Sequence, residues 1–296
     1  MNKKRSLLLR YNKSLSVQID GGGGGGAAYS QQGRRYVSVD AQQHTKALHQ
    51  ALQEGNFAVR MDMSAKDDAN HKRITVYSSP DKTNILKSFV ISDPRFADEM
   101  KNAKIVQKNP SSVLPEVLKI HPIGKFVWYR NRFSHGITLS DLCKRTDLSY
   151  EFKKKLATEL VHALATLHSE HYTHGDLKPE NILVQVSNQP RRLQVQFIDV
   201  GSLKKSQQQQ TLSSFSRGYL PIDPEHPFQV NFFHARKFSQ QQRQVLDRYA
   251  MSRILSMLFS VSPEIDRFIK INLEQGRRLR QLVSAPKPSG GQNGVG

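Results

Sequence analysis

The stretch from Thr173 to Val184 constrains this chain more than any other part of its sequence. It reads Thr-His-Gly-Asp-Leu-Lys-Pro-Glu-Asn-Ile-Leu-Val and places Asp176, Lys178 and Asn181 directly before an apolar, strand-like run. A carboxylate, a cation and an amide so close together suit phosphoryl transfer, because that chemistry depends on positioning and on neutralising charge. The alternative is an ordinary turn between a helix and a strand, where Asp and Asn are common.

A second acidic motif follows a predicted hairpin. Two apolar segments, Ile182–Val184 and Leu193–Ile198, predict its strands, and Asp199-Val200-Gly201 comes directly after the second one. An Asp at the end of a strand, followed by Gly, can face a chelated Mg²⁺ while the chain turns away. Isolated, Asp-x-Gly indicates only a turn. Its position behind an apolar strand and after Asn181 favours a metal ligand.

Earlier in the chain, strand-like segments separated by polar turns predict an antiparallel meander. Lys87 lies within one of these otherwise apolar strands, where a strongly hydrated ammonium needs a partner. The alternative for Lys87 is a surface position on an edge strand. The segments are Phe57–Met61, Ile74–Tyr77 and Asn84–Phe89, with two further strands predicted within Ile120–Arg130.

Helices are predicted from capping residues and apolar periodicity. Ser92-Asp93-Pro94 combines a capping side chain with Pro in the first turn. Phe96, Met100 and Ala103 then recur at helical spacing as a core-facing stripe, with Asp98 and Glu99 beside it. A longer helix is predicted over Glu151–His168, where Leu156, Leu160, Leu164 and Leu167 form one apolar stripe.

The two ends of the chain differ in composition from its middle. Residues 1–50 are predicted to be a flexible extension containing a poly-Gly linker, Gly21–Gly26, because uninterrupted Gly maximises backbone freedom. A short helix is predicted around Thr45–Gln53. Residues 284–296 form a Gly/Pro/Ser tail that we expect to be disordered.

Taken together, these motifs resemble the protein kinase family over roughly residues 55–260. Asp176 and Asn181 stand in the Asp-x-x-x-x-Asn spacing of its catalytic loop, and Asp199-Val200-Gly201 is similar to its Asp-Phe-Gly motif. Gly218-Tyr219-Leu220-Pro221 with Pro224-Glu225 resembles the end of the activation segment. Asp247 precedes an apolar helical stripe and is similar to the helix residue that braces the catalytic loop.

The resemblance implies an α+β, two-lobed fold. The N-lobe, residues 51–133, is expected to be a small antiparallel β-sheet with one helix. The C-lobe, residues 134–283, is expected to be mainly helical and shortened, with room for about two helices between Val261 and Val283 at about 1.5 Å per residue.

The resemblance also implies a site for ATP and Mg²⁺ between the lobes. Lys87 would hold the α- and β-phosphates and would pair with a helix glutamate, for which Glu99 is the candidate and Asp98 its competitor. Asn181 and Asp199 would bind the metal. These four assignments place a nucleotide and its metal next to the catalytic loop.

The acceptor and the adenine have expected partners of their own. Asp176 would orient the acceptor hydroxyl, and Lys178 would neutralise charge on the transferred phosphoryl group. Backbone groups near Arg132 and Ser134 would hydrogen-bond adenine. Lys at position 178 resembles the serine/threonine type of catalytic loop, so the resemblance implies a protein substrate with a Ser or Thr hydroxyl.

The chain departs from the family pattern in three places. Residues 64–71 lack the spaced glycines of a phosphate-covering loop, and the lower lobe is short. Gly175 replaces the Arg that normally docks a phosphorylated activation loop, which favours constitutive or partner-driven activity. His-Gly-Asp also occurs in small-molecule kinases that act on antibiotics, choline, sugars or lipopolysaccharide. Such a kinase, and a catalytically weak pseudokinase scaffold, are the two alternatives.

The net charge of +19, from 44 Lys and Arg against 25 Asp and Glu, favours anionic partners. The cluster Arg277-Arg278-Leu279-Arg280 predicts that a polyanion (an inositol phosphate, a nucleic acid or an acidic lipid) binds the lower lobe. The alternative is a solvated basic surface with no dedicated ligand. The sequence has no zinc-finger spacing or other nucleic-acid module.

Cysteine content and hydropathy indicate the kind of cellular compartment that suits this protein. One cysteine, Cys143, excludes an intramolecular disulfide and suits a reducing environment. No run approaches the roughly 18 apolar residues of a membrane span, so no transmembrane segment is expected. We therefore expect a cytoplasmic protein. A compact kinase with a basic surface and a Gly-rich leader resembles secreted bacterial effector kinases, which act in a host cytosol, or viral ones.

Overall fold

A five-stranded antiparallel sheet forms the first part of the described chain. The computed structural model describes residues 39–57, 59–61, 74–93, 95–133, 135–188, 191–205, 209–212, 216–222, 233, 236–258 and 263–284. The sheet has the order β1-β2-β3-β5-β4. Its strands are β1 (Val59–Met61), β2 (Ile74–Ser78), β3 (Asn84–Phe89), β4 (Glu116–His121) and β5 (Phe126–Arg130). The predicted meander is confirmed, with a first strand shorter than expected.

Helix α1, Val39–Glu54, precedes the sheet. The helix predicted at Thr45–Gln53 is present but begins earlier, so the boundary placed at residue 50 falls inside it. Leu48 and Ala51 are buried, and Glu54 forms an ion pair of 3.2 Å with Lys119 on β4. The predicted poly-Gly linker lies outside the described residues.

Helix α2, Arg95–Lys108, follows β3 and begins as its sequence predicts. The Asp93 carboxylate accepts a hydrogen bond of 3.0 Å from the backbone N–H of Arg95, which caps the helix. One face of the helix packs against the sheet. Its buried residues are Phe96, Glu99, Asn102, Ala103 and Val106. The buried face thus carries a carboxylate, Glu99, and an amide, Asn102. Both require polar partners, which are described with the candidate site below.

The second part of the fold is mainly helical. Helix α3, Leu139–Cys143, starts after the short strand β6, Ile137–Thr138, and helix α4, Tyr150–Ser169, starts at a Ser149 cap. The long helix predicted at Glu151–His168 is confirmed. All four leucines of its predicted stripe are buried, as are Ala157 and Ala163.

Two further helices, α5 (Gln240–Leu258) and α6 (Pro263–Ser284), close the described chain. The expectation of about two helices between Val261 and Val283 was wrong, because α6 is one continuous helix of 22 residues. It packs against α5, and Gly276 lies against Tyr249 of that helix. A Cβ built at Gly276 would lie 2.2 Å from the ring of Tyr249, so close packing explains a Gly within a helix.

Short antiparallel pairs hold the loops between these helices. The hairpin β8–β9, Ile182–Asn188 and Arg191–Phe197, forms a three-stranded sheet with β6. Strand β7, Tyr172–Thr173, pairs with β10, Lys204–Lys205. Strand β11, Gln210–Thr211, pairs with β12, Lys237–Phe238.

The architecture is therefore α+β, with a small antiparallel sheet beside α2 and a mainly helical second part, which confirms the predicted two-lobed, kinase-like fold. Helix α1 is an addition to the single N-lobe helix that we expected. Within the described ranges, no helix is both long enough and apolar enough to cross a bilayer.

Candidate active site

A cleft of about 310 Å³ lies between the five-stranded sheet and the β6–β8–β9 sheet. Its walls are mostly apolar, and one end is polar. The polar end holds Lys87, Glu99, Asn181 and Asp199. Side chains from both parts of the fold line the apolar walls, including Ile74, Val76, Ile85, Ile137, Leu183 and Ile198.

Lys87 joins two carboxylates at the polar end. Its Nζ atom lies 2.8 Å from Glu99 Oε2 on α2 and 2.8 Å from Asp199 Oδ1 after β9. Burial alone would lower the pKa of Lys87, but the charges of Asp199 and Glu99 outweigh it and raise the pKa above its usual value. The Lys87 ammonium in turn lowers the pKa of Asp199 to about 2. Lys87 and Asp199 are therefore both charged at neutral pH.

The choice between Glu99 and Asp98 is decided by burial. The side chain of Glu99 is 3% exposed and contacts Lys87, whereas Asp98 points to the exposed side of α2. The two residues are adjacent in sequence, so they lie on different faces of the helix. Glu99 is the residue that the structure brings to Lys87.

Two contacts that the sequence did not reveal fix α2 next to the cleft. The Tyr129 hydroxyl donates a hydrogen bond of 2.5 Å to Glu99 Oε1, and Asn102 Nδ2 donates one of 2.6 Å to the backbone oxygen of Gly201. Burial, followed by the neighbouring Glu99 charge, raises the pKa of Tyr129 well above its usual value. Tyr129 lies opposite Ile85 in the β3–β5 register, on the face that also carries Lys87.

The catalytic-loop segment is held by Asp247 on α5. Its carboxylate accepts hydrogen bonds from the backbone N–H groups of His174 (2.8 Å) and Gly175 (2.9 Å). His168 Nε2 lies 3.1 Å from the same carboxylate. Burial opposes ionisation of Asp247, but these hydrogen bonds and the nearby histidines hold its pKa below the usual value. Asp247 therefore lies where the sequence predicted a brace.

The backbone of the loop explains why Gly175 stands where an Arg is usual. Its φ is +82°, a conformation that side chains disfavour. A Cβ at this position would lie 2.8 Å from the backbone oxygen of Ser202. The loop thus packs too closely against the turn after Asp199 to accept any larger residue at position 175.

His174 and Asn181 connect the loop to the strand that carries Asp199. The backbone N–H of Asp176 donates to His174 Nδ1 (3.3 Å), and His174 Nε2 lies 3.0 Å from the backbone oxygen of Ile198. Asn181 Nδ2 donates to the backbone oxygen of Asp176 at 2.9 Å. The buried Asn181 amide is thereby oriented with its nitrogen toward the loop, which leaves its oxygen for another partner.

Asp176 and Lys178 lie together on the other side of this loop. Asp176 Oδ2 is 3.2 Å from Lys178 Nζ, and Lys178 Nζ donates to Ser216 Oγ at 3.2 Å. Asp176 Oδ1 is buried and has no hydrogen-bond partner among the described residues. Asp176 does not line the cleft that holds Asn181 and Asp199; it lines a small hollow beside Ser216 and Tyr219.

The expected adenine contacts near Arg132 and Ser134 stay a prediction, and the described hydrogen bonds of Arg132 go to other residues. Its backbone N–H donates a hydrogen bond of 3.0 Å to Gln196 Oε1, and its guanidinium donates to the backbone oxygen of Ser111 at 2.7 Å. Both groups are thus occupied away from the cleft, whose lining includes Asn131 and Phe133 instead. Ser134 and the predicted Pro224-Glu225 lie outside the described residues.

The residues at the polar end fit a magnesium ion. Asn181 and Asp199 offer an amide and a carboxylate oxygen in the same cleft, and hard oxygen donors are the ligands that Mg²⁺ prefers. The low pKa of Asp199 keeps this carboxylate ionised at neutral pH. Both predicted metal ligands therefore line the same cleft, and Asp199 contacts Lys87 there.

Removing the Tyr129 hydroxyl tests how strongly it holds Glu99. We expect Tyr129→Phe to lower the free energy of unfolding by about 2 kcal/mol, because a buried carboxylate oxygen loses its donor. Urea unfolding measures this change. Tyr150→Phe is the control, since Tyr150 is 54% exposed and its loss should stay within about 0.5 kcal/mol. Equal losses in the two variants would contradict the assignment.

Comparison with known families agrees with this geometry. Residues 99–225 match the family model of the protein kinase domain. The match begins in α2 at Glu99 and includes Asp176, Lys178, Asn181 and Asp199. A search of curated proteins found no match. The matched residues include part of the cleft lining, the catalytic-loop segment and the Asp-Val-Gly turn, and this match supports membership in the protein kinase superfamily.

Proposed function

We propose that this protein is an ATP- and Mg²⁺-dependent kinase that phosphorylates Ser or Thr hydroxyl groups of a protein substrate. The observation that carries the proposal is the position of Lys87. It contacts Glu99 and Asp199 at 2.8 Å each, beside Asn181, in the cleft between the two sheets. A cation fixed between a buried helix carboxylate and a candidate metal ligand is suited to hold phosphate groups.

The cleft supplies the nucleotide site. Its apolar walls would contact the adenine ring. Lys87 would exchange its contact with Asp199 for one with the phosphates and would keep its ion pair with Glu99. Asn181 and Asp199 would hold Mg²⁺, which when bound neutralises charge on the phosphate oxygens. Once Lys87 binds phosphate instead of Asp199, the Asp199 carboxylate can bind the metal.

The acceptor hydroxyl would approach from the side of Asp176. Asp176 Oδ1 is a buried acceptor with no partner in the described parts of the chain, so a substrate hydroxyl can donate to it. A carboxylate in that position orients the hydroxyl and accepts its proton. Lys178, 3.2 Å from the other carboxylate oxygen, would neutralise charge on the transferred phosphoryl group.

A polypeptide acceptor is favoured by a second groove that shares Tyr219 with the hollow of Asp176. This groove of about 260 Å³ lies between α3 and α5, and Glu180, Tyr219 and Met257 contribute to its lining. A groove of mixed polarity on the surface offers an extended peptide contacts beyond the acceptor hydroxyl, which a compact metabolite does not use. A cytoplasmic location, where ATP and Mg²⁺ are abundant, forms part of the proposal.

A small-molecule kinase is the second candidate, and the His-Gly-Asp sequence at 174–176 is the observation that favours it. The geometry of Gly175 weakens this argument, because contact with Ser202 by itself requires Gly there. Polyanion binding at α6 remains a prediction. Arg277 and Arg278 in that cluster form ion pairs with Glu274 on the same helix, so part of the charge is neutralised locally.

Phosphate transfer from labelled ATP tests the proposal. The purified full chain is incubated with Mg²⁺ and either a set of basic and acidic proteins or a panel of small hydroxyl compounds. We expect Mg²⁺-dependent labelling of Ser or Thr in protein. Lys87→Met should lower it by about 10²-fold or more, while Lys108→Met, an exposed position on α2, should not.

The outcomes separate the alternatives. Labelling of small hydroxyl compounds alone would overturn the protein-kinase proposal in favour of the second candidate. Absence of both transfer and Mg²⁺-dependent nucleotide binding, measured by thermal shift, would indicate a pseudokinase scaffold.

A further inference from the structure

Arg243 on α5 is a buried cation outside the cleft. It is 1% exposed and lies one helical turn before Asp247. Burial lowers the pKa of Arg243, and the nearby Asp247 charge opposes this. Keeping a guanidinium away from water is costly unless its N–H groups are paired, so its partners show what the residue holds in place.

Two hydrogen-bond partners of Arg243 belong to two short antiparallel pairs. Arg243 Nη1 donates a hydrogen bond of 2.6 Å to the backbone oxygen of Phe238 in β12. Arg243 Nε donates one of 3.3 Å to Thr173 Oγ1 in β7. The guanidinium therefore connects the β11–β12 pair to the β7–β10 pair through one side chain.

Both pairs hold the chain that follows Asp199. Strand β10 begins at Lys204, directly after the Asp-Val-Gly turn, and Lys204 lies opposite Thr173. Strand β11 lies further along, where Gln210 is opposite Phe238. Ser216, the partner of Lys178, follows β11 by five residues. The two anchors of this segment thus meet at Arg243, next to the catalytic loop.

The position before Asp176 in the catalytic loop has no side chain for this purpose. Gly175 occupies the position before Asp176, and its φ of +82° and contact with Ser202 exclude a basic side chain there. Arg243 lies in the same hollow as Gly175 and Asp176. It approaches from α5, which Asp247 fixes to the loop.

We propose that Arg243 is a positioning residue that holds the segment after Asp199 in place without a phosphate group, so that the kinase is active when unphosphorylated. This inference rests on the proposed function for its effect on activity. Its structural part, the joining of the two strand pairs, stands independently. A guanidinium that donates to a backbone oxygen and a hydroxyl needs no phosphorylation to be engaged.

Three variants of the full chain test the inference. Arg243→Met removes the donors and keeps most of the side-chain volume, Arg243→Lys keeps the charge and can reach one acceptor, and Arg253→Met is the control on an exposed face of α5. Hydrogen–deuterium exchange at Gln210–Thr211 and Lys237–Phe238 reports on the strand pair directly. Steady-state kinetics and nucleotide binding are measured well below the melting temperature of each variant.

We expect faster exchange in both strands of Arg243→Met, together with a decrease of about 10- to 100-fold in kcat/KM for the protein acceptor. Nucleotide affinity should stay within about twofold, because Arg243 is not among the residues that line the cleft. Arg243→Lys should lose less kcat/KM than Arg243→Met. If Arg243→Met does not fold, the exchange and kinetics of Arg243→Lys alone are compared with those of the wild type. Arg253→Met should match the wild type. Wild-type protein treated with phosphatase should keep its activity.

Loss of wild-type activity on phosphatase treatment would overturn the inference. So would unchanged exchange and kinetics in both Arg243 variants. If the wild type transfers no phosphate while Arg243→Met still loosens the strand pair, the proposed function fails and the positioning role of Arg243 holds. If the wild type is active and the strand pair is insensitive to Arg243, the proposed function holds and the positioning role of Arg243 fails.

Discussion

Asp176→Asn should lower the rate of phosphate transfer by about 10³-fold while nucleotide affinity stays within about twofold. The reason is the position of Asp176. Its carboxylate is not part of the lining of the cleft that would hold the nucleotide. Its buried Oδ1 has no hydrogen-bond partner among the described residues and would accept a hydrogen bond from a hydroxyl that reaches it. Asn keeps the shape of the side chain, and the backbone oxygen that Asn181 contacts is unchanged. The substitution removes the negative charge, and with it the ability to accept a proton and the ion pair with Lys178.

The measurement is initial-rate phosphate transfer together with nucleotide titration of the same preparation. Asp147→Asn is the matched control, because Asp147 is exposed and paired only at the surface with Arg145. Its activity should equal that of the wild type. An Asp176→Asn variant with more than about a tenth of wild-type activity would contradict the assigned role, since general-base catalysis contributes at least about 10²-fold.

Asp247→Ala should have the largest effect on stability. The variant leaves the backbone N–H groups of His174 and Gly175 buried without their acceptor, and His168 loses the same carboxylate. Removing one partner of such a buried network costs about 3–5 kcal/mol. The melting temperature should fall by about 10 °C for a folded region of this size. Activity should fall as well, because the loop that carries Asp176 loses its brace.

Thermal and urea unfolding measure this loss. Asp266→Ala, in the exposed first turn of α6, is the control and should change the free energy of unfolding by less than about 1 kcal/mol. A free energy of unfolding for Asp247→Ala within about 1 kcal/mol of the control would show that the loop holds itself in place without α5.

Local patterns predicted much of the fold. Strand β3 has its predicted bounds, β2 and α4 differ from theirs by one residue at one or both ends, and α2 begins where its capping residues indicate. Alternation, capping residues and helical periodicity depend on neighbours in sequence. Helix α6 was predicted less well. Gly276 has a low helix propensity, and only its packing against Tyr249 shows why the helix continues through it.

The same distinction between local patterns and tertiary contacts applies to the residues of the candidate site. Lys87, Asp199, Asn181, Asp176 and Lys178 were identified from residue type and spacing. Tyr129, Asn102 and Arg243 were missed, because their partners are distant in sequence. Asn102 contacts Gly201, for example, across 99 positions, and no local pattern distinguishes an amide with such a partner from a solvated one.

The sequence by itself determined which chemical groups this protein brings to its site and in what order along the chain. Only the tertiary structure decided which of them meet. Lys87 and Asp199 are separated by 112 positions, and they come within 2.8 Å because the register of β3 and the path of β9 bring them to one cleft. The same packing places Asp176 in the hollow beside Ser216, and it pairs the backbone N–H of Arg132 with Gln196. Residue types and periodicity act over a few neighbouring residues, whereas strand register and helix packing act across the whole fold.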